Sequence, residues 1–184
     1  FIEKLSIKNI LKKNKTPFYI YSESQIAFNF LNFAKTFKKT VPLICFAAKS
    51  NSNLNILRVL GRLGAGADVV SGGELLKALK AGIKPNKIVF SGVGKTEDEL
   101  KIAISKKILL INCKSESEAK LVNNLAKKIR KKVSIGFRLN PNVDAKTHKN
   151  ISTGKAENKF GLSIKNFKVF LKTVKSFKNV KLDA

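Results

Sequence analysis

Lys49 is the residue whose setting most invites chemistry. It closes the apolar run Leu43 to Ala48, which would put its amine at the end of a buried strand, beside low-dielectric walls. Burial disfavours the charged form of an amine, and a neutral lysine is a nucleophile able to form a Schiff base. All but four of the 37 basic residues are lysine, the exceptions being Arg58, Arg62, Arg130 and Arg138. Position alone therefore leaves an ordinary exposed lysine as the plainer reading. Asp68 interrupts a second apolar run, in Gly66-Ala67-Asp68-Val69-Val70-Ser71-Gly72-Gly73-Glu74. An acid inside a strand is costly unless paired, and Lys49 and Arg138 are its candidate partners, with a purely structural ion pair as the competing account. The turns Ser71-Gly72-Gly73-Glu74 and Ser91-Gly92-Val93-Gly94-Lys95 follow apolar runs, where glycine lets backbone approach a ligand and N–H groups can face an anion. Such turns are common and carry little weight alone.

Other chemistries find no support in the spacing. Gly61-Arg62-Leu63-Gly64-Ala65-Gly66 resembles a dinucleotide fingerprint only superficially, because its glycines come in reversed order and lie between a helix and a strand. His148 is the single histidine and has no Cys or His at ligand spacing, so no metal site is expected. A Ser-His-Asp arrangement cannot be assembled with any specificity. Cys45 and Cys113 lie in separate apolar runs and read as two buried thiols of a reducing compartment rather than a disulfide.

The formal charge of +25 raises nucleic acid or an anionic membrane as partners. The lysines are scattered among Asn, Ile and Phe, and no basic run carries the interleaved aromatics or arginines that nucleic-acid recognition favours. A solvated lysine-rich surface is the better account, with no nucleic-acid partner expected. The apolar runs are far shorter than the roughly 18 to 20 residues of a membrane helix, and lysines interrupt the first segment where a secretory signal would be apolar. No membrane association and a cytoplasmic location are expected. The chain starts at Phe1, contains no methionine and stops at Ala184 within a run that reads as a strand just starting, so both ends are expected to be cut.

The elements that must position these residues follow a regular cadence. Strands are read at Leu43 to Ala48, Ala67 to Ser71, Lys87 to Ser91, Ile108 to Asn112 and Val133 to Asn140, with another opening at Asn179. Helices are read between them, capped at Ser22, Asn53, Thr96 and Ser115, with Glu74 to Ala81 and Ser163 to Phe177 completing the series. Alternating apolar strands and helices argue for a parallel sheet with helices outside. The strand ends near Lys49, Ser71, Ser91, Asn112 and Arg138 recur every 20 to 26 residues, the cadence of a (β/α)8 barrel of which about five and a half βα units would be present. Residues 1–16 read as a lead-in packed outside the barrel and 17–184 as its N-terminal portion. In such a barrel the chemistry sits at the C-terminal ends of the strands, which keeps Lys49 and Arg138 as candidates.

Several segments together resemble the diaminopimelate decarboxylase family. They are Cys45-Phe46-Ala47-Ala48-Lys49-Ser50-Asn51, the run from Gly64 to Leu75, Phe90-Ser91-Gly92-Val93-Gly94-Lys95-Thr96, Arg138-Leu139-Asn140-Pro141-Asn142-Val143-Asp144-Ala145, Thr147-His148, and Ile151-Ser152-Thr153-Gly154 through Glu157-Asn158-Lys159-Phe160-Gly161. The motifs keep their order and spacing over almost the whole chain. The resemblance implies a TIM barrel of the alanine racemase-like type that binds pyridoxal 5′-phosphate (PLP), with Lys49 holding the cofactor and Asp68, Glu74 and Arg138 lining its pocket. It further implies decarboxylation of meso-diaminopimelate to L-lysine and carbon dioxide by a cytoplasmic homodimer. Alternatives on the same barrel are a decarboxylase of another basic amino acid or of carboxynorspermidine, or a non-catalytic PLP-binding homologue. Members of the family run to roughly twice this length, which implies that these 184 residues alone are inactive and poorly folded.

Overall fold

The computed structural model describes residues 1–37, 39–143, 146 and 161–184. In chain order the elements are α1 (Ile7–Lys13), α2 (Glu23–Lys35), β1 (Cys45–Ala47), α3 (Leu54–Arg62), β2 (Gly66–Val69), α4 (Gly72–Lys80), β3 (Ile88–Phe90), α5 (Glu97–Lys106), β4 (Leu110–Cys113), α6 (Glu116–Lys128), β5 (Val133–Phe137), α7 (Ile164–Val174) and β6 (Val180–Leu182). The strands form one sheet in the order β1-β2-β3-β4-β5-β6, and every adjacent pair is parallel. An open doubly wound sheet reverses its strand order at a switch point. This order runs one way only, as in the wall of a (β/α)8 barrel. Five βα units, from β1–α3 to β5–α7, and the strand of a sixth are present.

From α2 onward each helix begins where a side chain can satisfy one of its free N–H groups, whereas α1 has no side-chain cap. Ser22, Asn53, Ser71, Thr96, Ser115 and Ser163 accept from backbone N–H groups of α2, α3, α4, α5, α6 and α7 respectively. At Thr96 the box is reciprocal, since Glu99 Oε2 accepts the Thr96 N–H at 2.9 Å. The strands are shorter than the apolar runs that announce them. In the first, Ser50 Oγ donates to Ala47 O at 2.7 Å and Asn51 N–H to Ala48 O at 3.1 Å. These local bonds divert Ala48–Ser50 into a 3-10 turn, so Lys49 stands just beyond the strand.

Strand alternation divides the sheet into two unlike faces. Ala67, Val69, Ile88, Phe90, Ile111, Cys113 and Ile135 are buried in one cluster with Leu57, Leu75, Leu100 and Val122 of the helices. On the opposite face Asp68, Val89, Leu110, Asn112 and Ser134 are half-buried. The chain is thus anchored on its helix-facing side, and its polar strand residues turn toward the barrel interior. Helix α2 joins the assembly through a satellite cluster in which Ile26 and Phe30 pack on Ile56, Leu60 and Ala65.

Candidate active site

The ends of β1 to β5 converge on a pocket of about 320 Å3. Lys49 enters from the turn after β1, Asp68 and Val70 from β2 and its end, Ser91 from the end of β3, Asn112 and Lys114 from β4 and its end, and Phe137 and Arg138 from β5 and its end. Two glycines let these ends close on one another. A Cβ at Gly92 would lie 2.0 Å from Val70 O, and one at Gly136 would lie 2.5 Å from Asn112 Oδ1. Asn112 Nδ2 in turn donates to Ser91 Oγ at 3.0 Å. A larger cavity of about 650 Å3 lies between α1 and Phe18–Tyr21, away from the strand ends, and brings no acid and base together among its lining residues.

Three of the four residues singled out in the sequence meet in this pocket: Lys49, Asp68 and Arg138. Lys49 is exposed rather than enclosed by apolar walls, and it makes no hydrogen bond or ion pair among the described residues. Of the two candidate partners of Asp68, Lys49 forms no ion pair with it among the described residues. Asp68 Oδ1 is instead buried without a hydrogen-bond partner among the described residues. An acceptor left this way loses its hydration with no return, so this oxygen has room for a donor that the described residues do not supply. Arg138 is fixed by its backbone, with its N–H donating to Cys113 O at 3.1 Å and its carbonyl accepting the Leu162 N–H at 2.8 Å.

Glu74 lies outside the pocket lining. Its Oε2 accepts the Val70 N–H at 2.9 Å, and the neighbouring Gly72 N–H is taken by Glu99 Oε1 at 2.6 Å. The turn after β2 therefore does present N–H groups to anions, as its glycines suggest, but the anions are the protein's own carboxylates. Bonds from Gly72 and Thr96 hold the Glu99 carboxyl below its ordinary value. His148 and the motifs spanning 147–160 lie outside the described residues.

Two lysines at the strand ends stand out less in the sequence than in space. Lys95 Nζ is fully buried and bonds Glu118 Oε1 and Asn112 O, each at 2.7 Å, and it lies over the Phe90 ring at 5.5 Å. Lys114 Nζ donates to Ser91 O at 2.7 Å, and its backbone N–H donates to Glu118 Oε2 at 2.7 Å. Burial first, and then the Lys95 cation, bring the Lys114 ammonium down to about 8. Sequence reasoning passed over Lys114, although it follows β4 much as Lys49 follows β1; the strand-end rule selects it, and the abundance of lysine hides it. Both cysteines are free. Burial pushes the Cys113 thiol up to about 12 and raises Cys45 as well, so neither is a ready nucleophile, and Cys45 is only half-buried.

A family model described as the pyridoxal binding domain of pyridoxal-dependent decarboxylases matches residues 23–182. A diaminopimelate decarboxylase of Helicobacter pylori (strain J99) is 49% identical over 170 residues, covering 92% of this chain and 42% of that protein. One from Aquifex aeolicus is 47% identical over 165 residues, covering 90% of the chain and 39% of that protein. The crystal structure of Helicobacter pylori diaminopimelate decarboxylase complexed with L-lysine superposes with a TM-score of 0.92 at 45% identity, over 96% of this chain and 45% of that one. The chain thus spans less than half the length of these relatives.

Proposed function

This chain belongs to the pyridoxal-dependent decarboxylases, and from that premise we propose that the protein containing it converts meso-diaminopimelate to L-lysine and carbon dioxide with PLP as cofactor. The observation that carries the reading is the pocket where the strand ends bring Lys49, Asp68 and Arg138 together. Its residues fit the cofactor. An exposed lysine amine is within reach of an aldehyde, a buried Asp68 oxygen awaits a donor, and the cations of Lys49, Lys114 and Arg138 suit an anionic ligand. When bound, PLP supplies the electron sink for the carbanion left as carbon dioxide departs.

The chain's own residues would divide the remaining work. Lys49 holds the cofactor through its amine and recovers it at the end of each turnover. Asp68 Oδ1 accepts a donor of the bound ligand, and Arg138 donates to an anionic oxygen at the β5 end. Ser91 and Asn112, bonded to each other, give the pocket a fixed polar wall. Residues 17–184 form the barrel portion and 1–16 lead into it. The whole protein is taken to act as a cytoplasmic homodimer on a small amino-acid substrate.

The test is an absorbance titration of the intact protein with PLP, for wild type and Lys49→Ala, followed by detection of L-lysine after adding meso-diaminopimelate. A protein-dependent spectral change that needs Lys49, with L-lysine formed, is the expected result. A Lys49-dependent change without L-lysine would keep the cofactor and discard the substrate. No dependence on Lys49 would discard the reading.

A further inference from the structure

Among the described residues the pocket is lined by more cations than carboxylates. Glu118 is committed on both oxygens, one to Lys95 Nζ and the other to the Lys114 N–H. Glu74 and Glu99 are committed to backbone after β2. Among the described residues Asp68 is then the one carboxylate lining a pocket that Lys49, Lys114 and Arg138 also line. Lys114 is half-buried, and the contact of its ammonium among the described residues is a neutral carbonyl, Ser91 O. An ammonium has three N–H donors, which leaves two for the cavity. A partly desolvated cation with a neutral partner gains most when an anion arrives.

Resting on the reading of this pocket as a pyridoxal site, we infer that Lys114 is a positioning residue that donates from the end of β4 to an anionic oxygen of the bound cofactor or amino-acid substrate. A lysine kept only to bond Ser91 O would set a cation beside other cations for one neutral hydrogen bond. The charges facing it come from every side: Lys95 from the turn after β3, Glu118 from α6, Arg138 from the end of β5 and Asp68 from β2. Their balance, with burial, brings its ammonium to about 8, so its hold on an anion weakens as pH rises through that value.

The experiment uses the intact protein as wild type, Lys114→Gln and Lys114→Arg. PLP affinity is measured by spectral titration, and L-lysine affinity on the PLP-loaded protein, from about pH 6.5 to about pH 9. Lys114→Gln is expected to weaken one probe about ten-fold at neutral pH. Weakened PLP assigns the oxygen to the cofactor; unchanged PLP with weakened L-lysine assigns it to the substrate. Lys114→Arg, which keeps its charge throughout this range, should retain affinity and lose the fall centred near pH 8. Wild-type affinities and pH profile in Lys114→Gln, or an unaltered profile in Lys114→Arg, would overturn the role of Lys114 alone. Failure of the wild type itself to bind PLP would overturn the pyridoxal reading, and this inference with it.

Discussion

At the scale of single residues, the pocket holds groups that are poorly satisfied by the protein alone. Asp68 is the clearest case, because its buried Oδ1 has no hydrogen-bond partner among the described residues, a cost of about 1–3 kcal/mol for an acceptor removed from water. Sites that hold a ligand tend to trade stability for function in this way. Asp68→Asn keeps the size while losing the charge that burial penalises. The ligand-free variant is therefore expected to melt at or above wild type, and its PLP affinity to fall about ten-fold. Thermal melts and a PLP titration on the same samples check both halves. A variant destabilised without ligand, yet normal in affinity, would mean that Asp68 serves the fold. That Lys49, Asp68 and Arg138 meet was legible from their types and from their places, Asp68 within an apolar run and the other two at the ends of such runs. Lys114 was not, because one lysine among so many has no compositional contrast, and only its bond to Ser91 O and its neighbours distinguish it.

Elements carry the positions of these groups, and here the sequence was most legible where local chemistry decides. The caps at Ser22, Asn53, Thr96 and Ser115 stand where the sequence places them, because the side-chain oxygen and the N–H it satisfies lie within three residues. What sequence reasoning missed is contact between units. Glu99 closes the capping box of α5 with one oxygen and reaches Gly72 at the start of α4 with the other, a bond across 27 residues that no local pattern announces. Thr96→Ala removes only the local cap and should cost about 1 kcal/mol. Glu99→Ala removes both bonds and should cost more, measured by urea unfolding. Glu99 also gives a sign to the pH dependence. Its folded carboxyl titrates below the ordinary 4.5, so its contribution is full above that value and is lost as pH falls through the depressed one. The stability gap between wild type and Glu99→Ala should therefore close on acidification from neutral pH. A gap independent of pH would assign the effect to packing instead of the charge.

Over the whole molecule, charge and closure set the limits. Several of the acids have structural tasks: Glu3 at the start of α2, Glu23 with Arg62, Glu99 between α4 and α5, Glu118 with Lys95. The net charge of +25 is therefore borne by a surface of lysines with few carboxylates left to meet them, which favours solubility and opposes compaction. The sheet adds a second limit. With its strands in the order β1 to β6, both outer strands present an unpaired parallel edge among the described residues, and the interior face carrying Asp68 and Asn112 is only half-buried. Parallel sheets are stable when both faces are covered, and exposed edges invite pairing with other chains. The 184 residues produced by themselves are therefore expected to show no decarboxylation of meso-diaminopimelate, to bind a hydrophobic dye and to unfold with a shallow urea dependence for their length, since that slope follows the surface a fold hides. A monomeric, steeply unfolding product that forms L-lysine from meso-diaminopimelate would mean that the six strands suffice, and that the residues of this pocket supply the chemistry without a closed barrel around them.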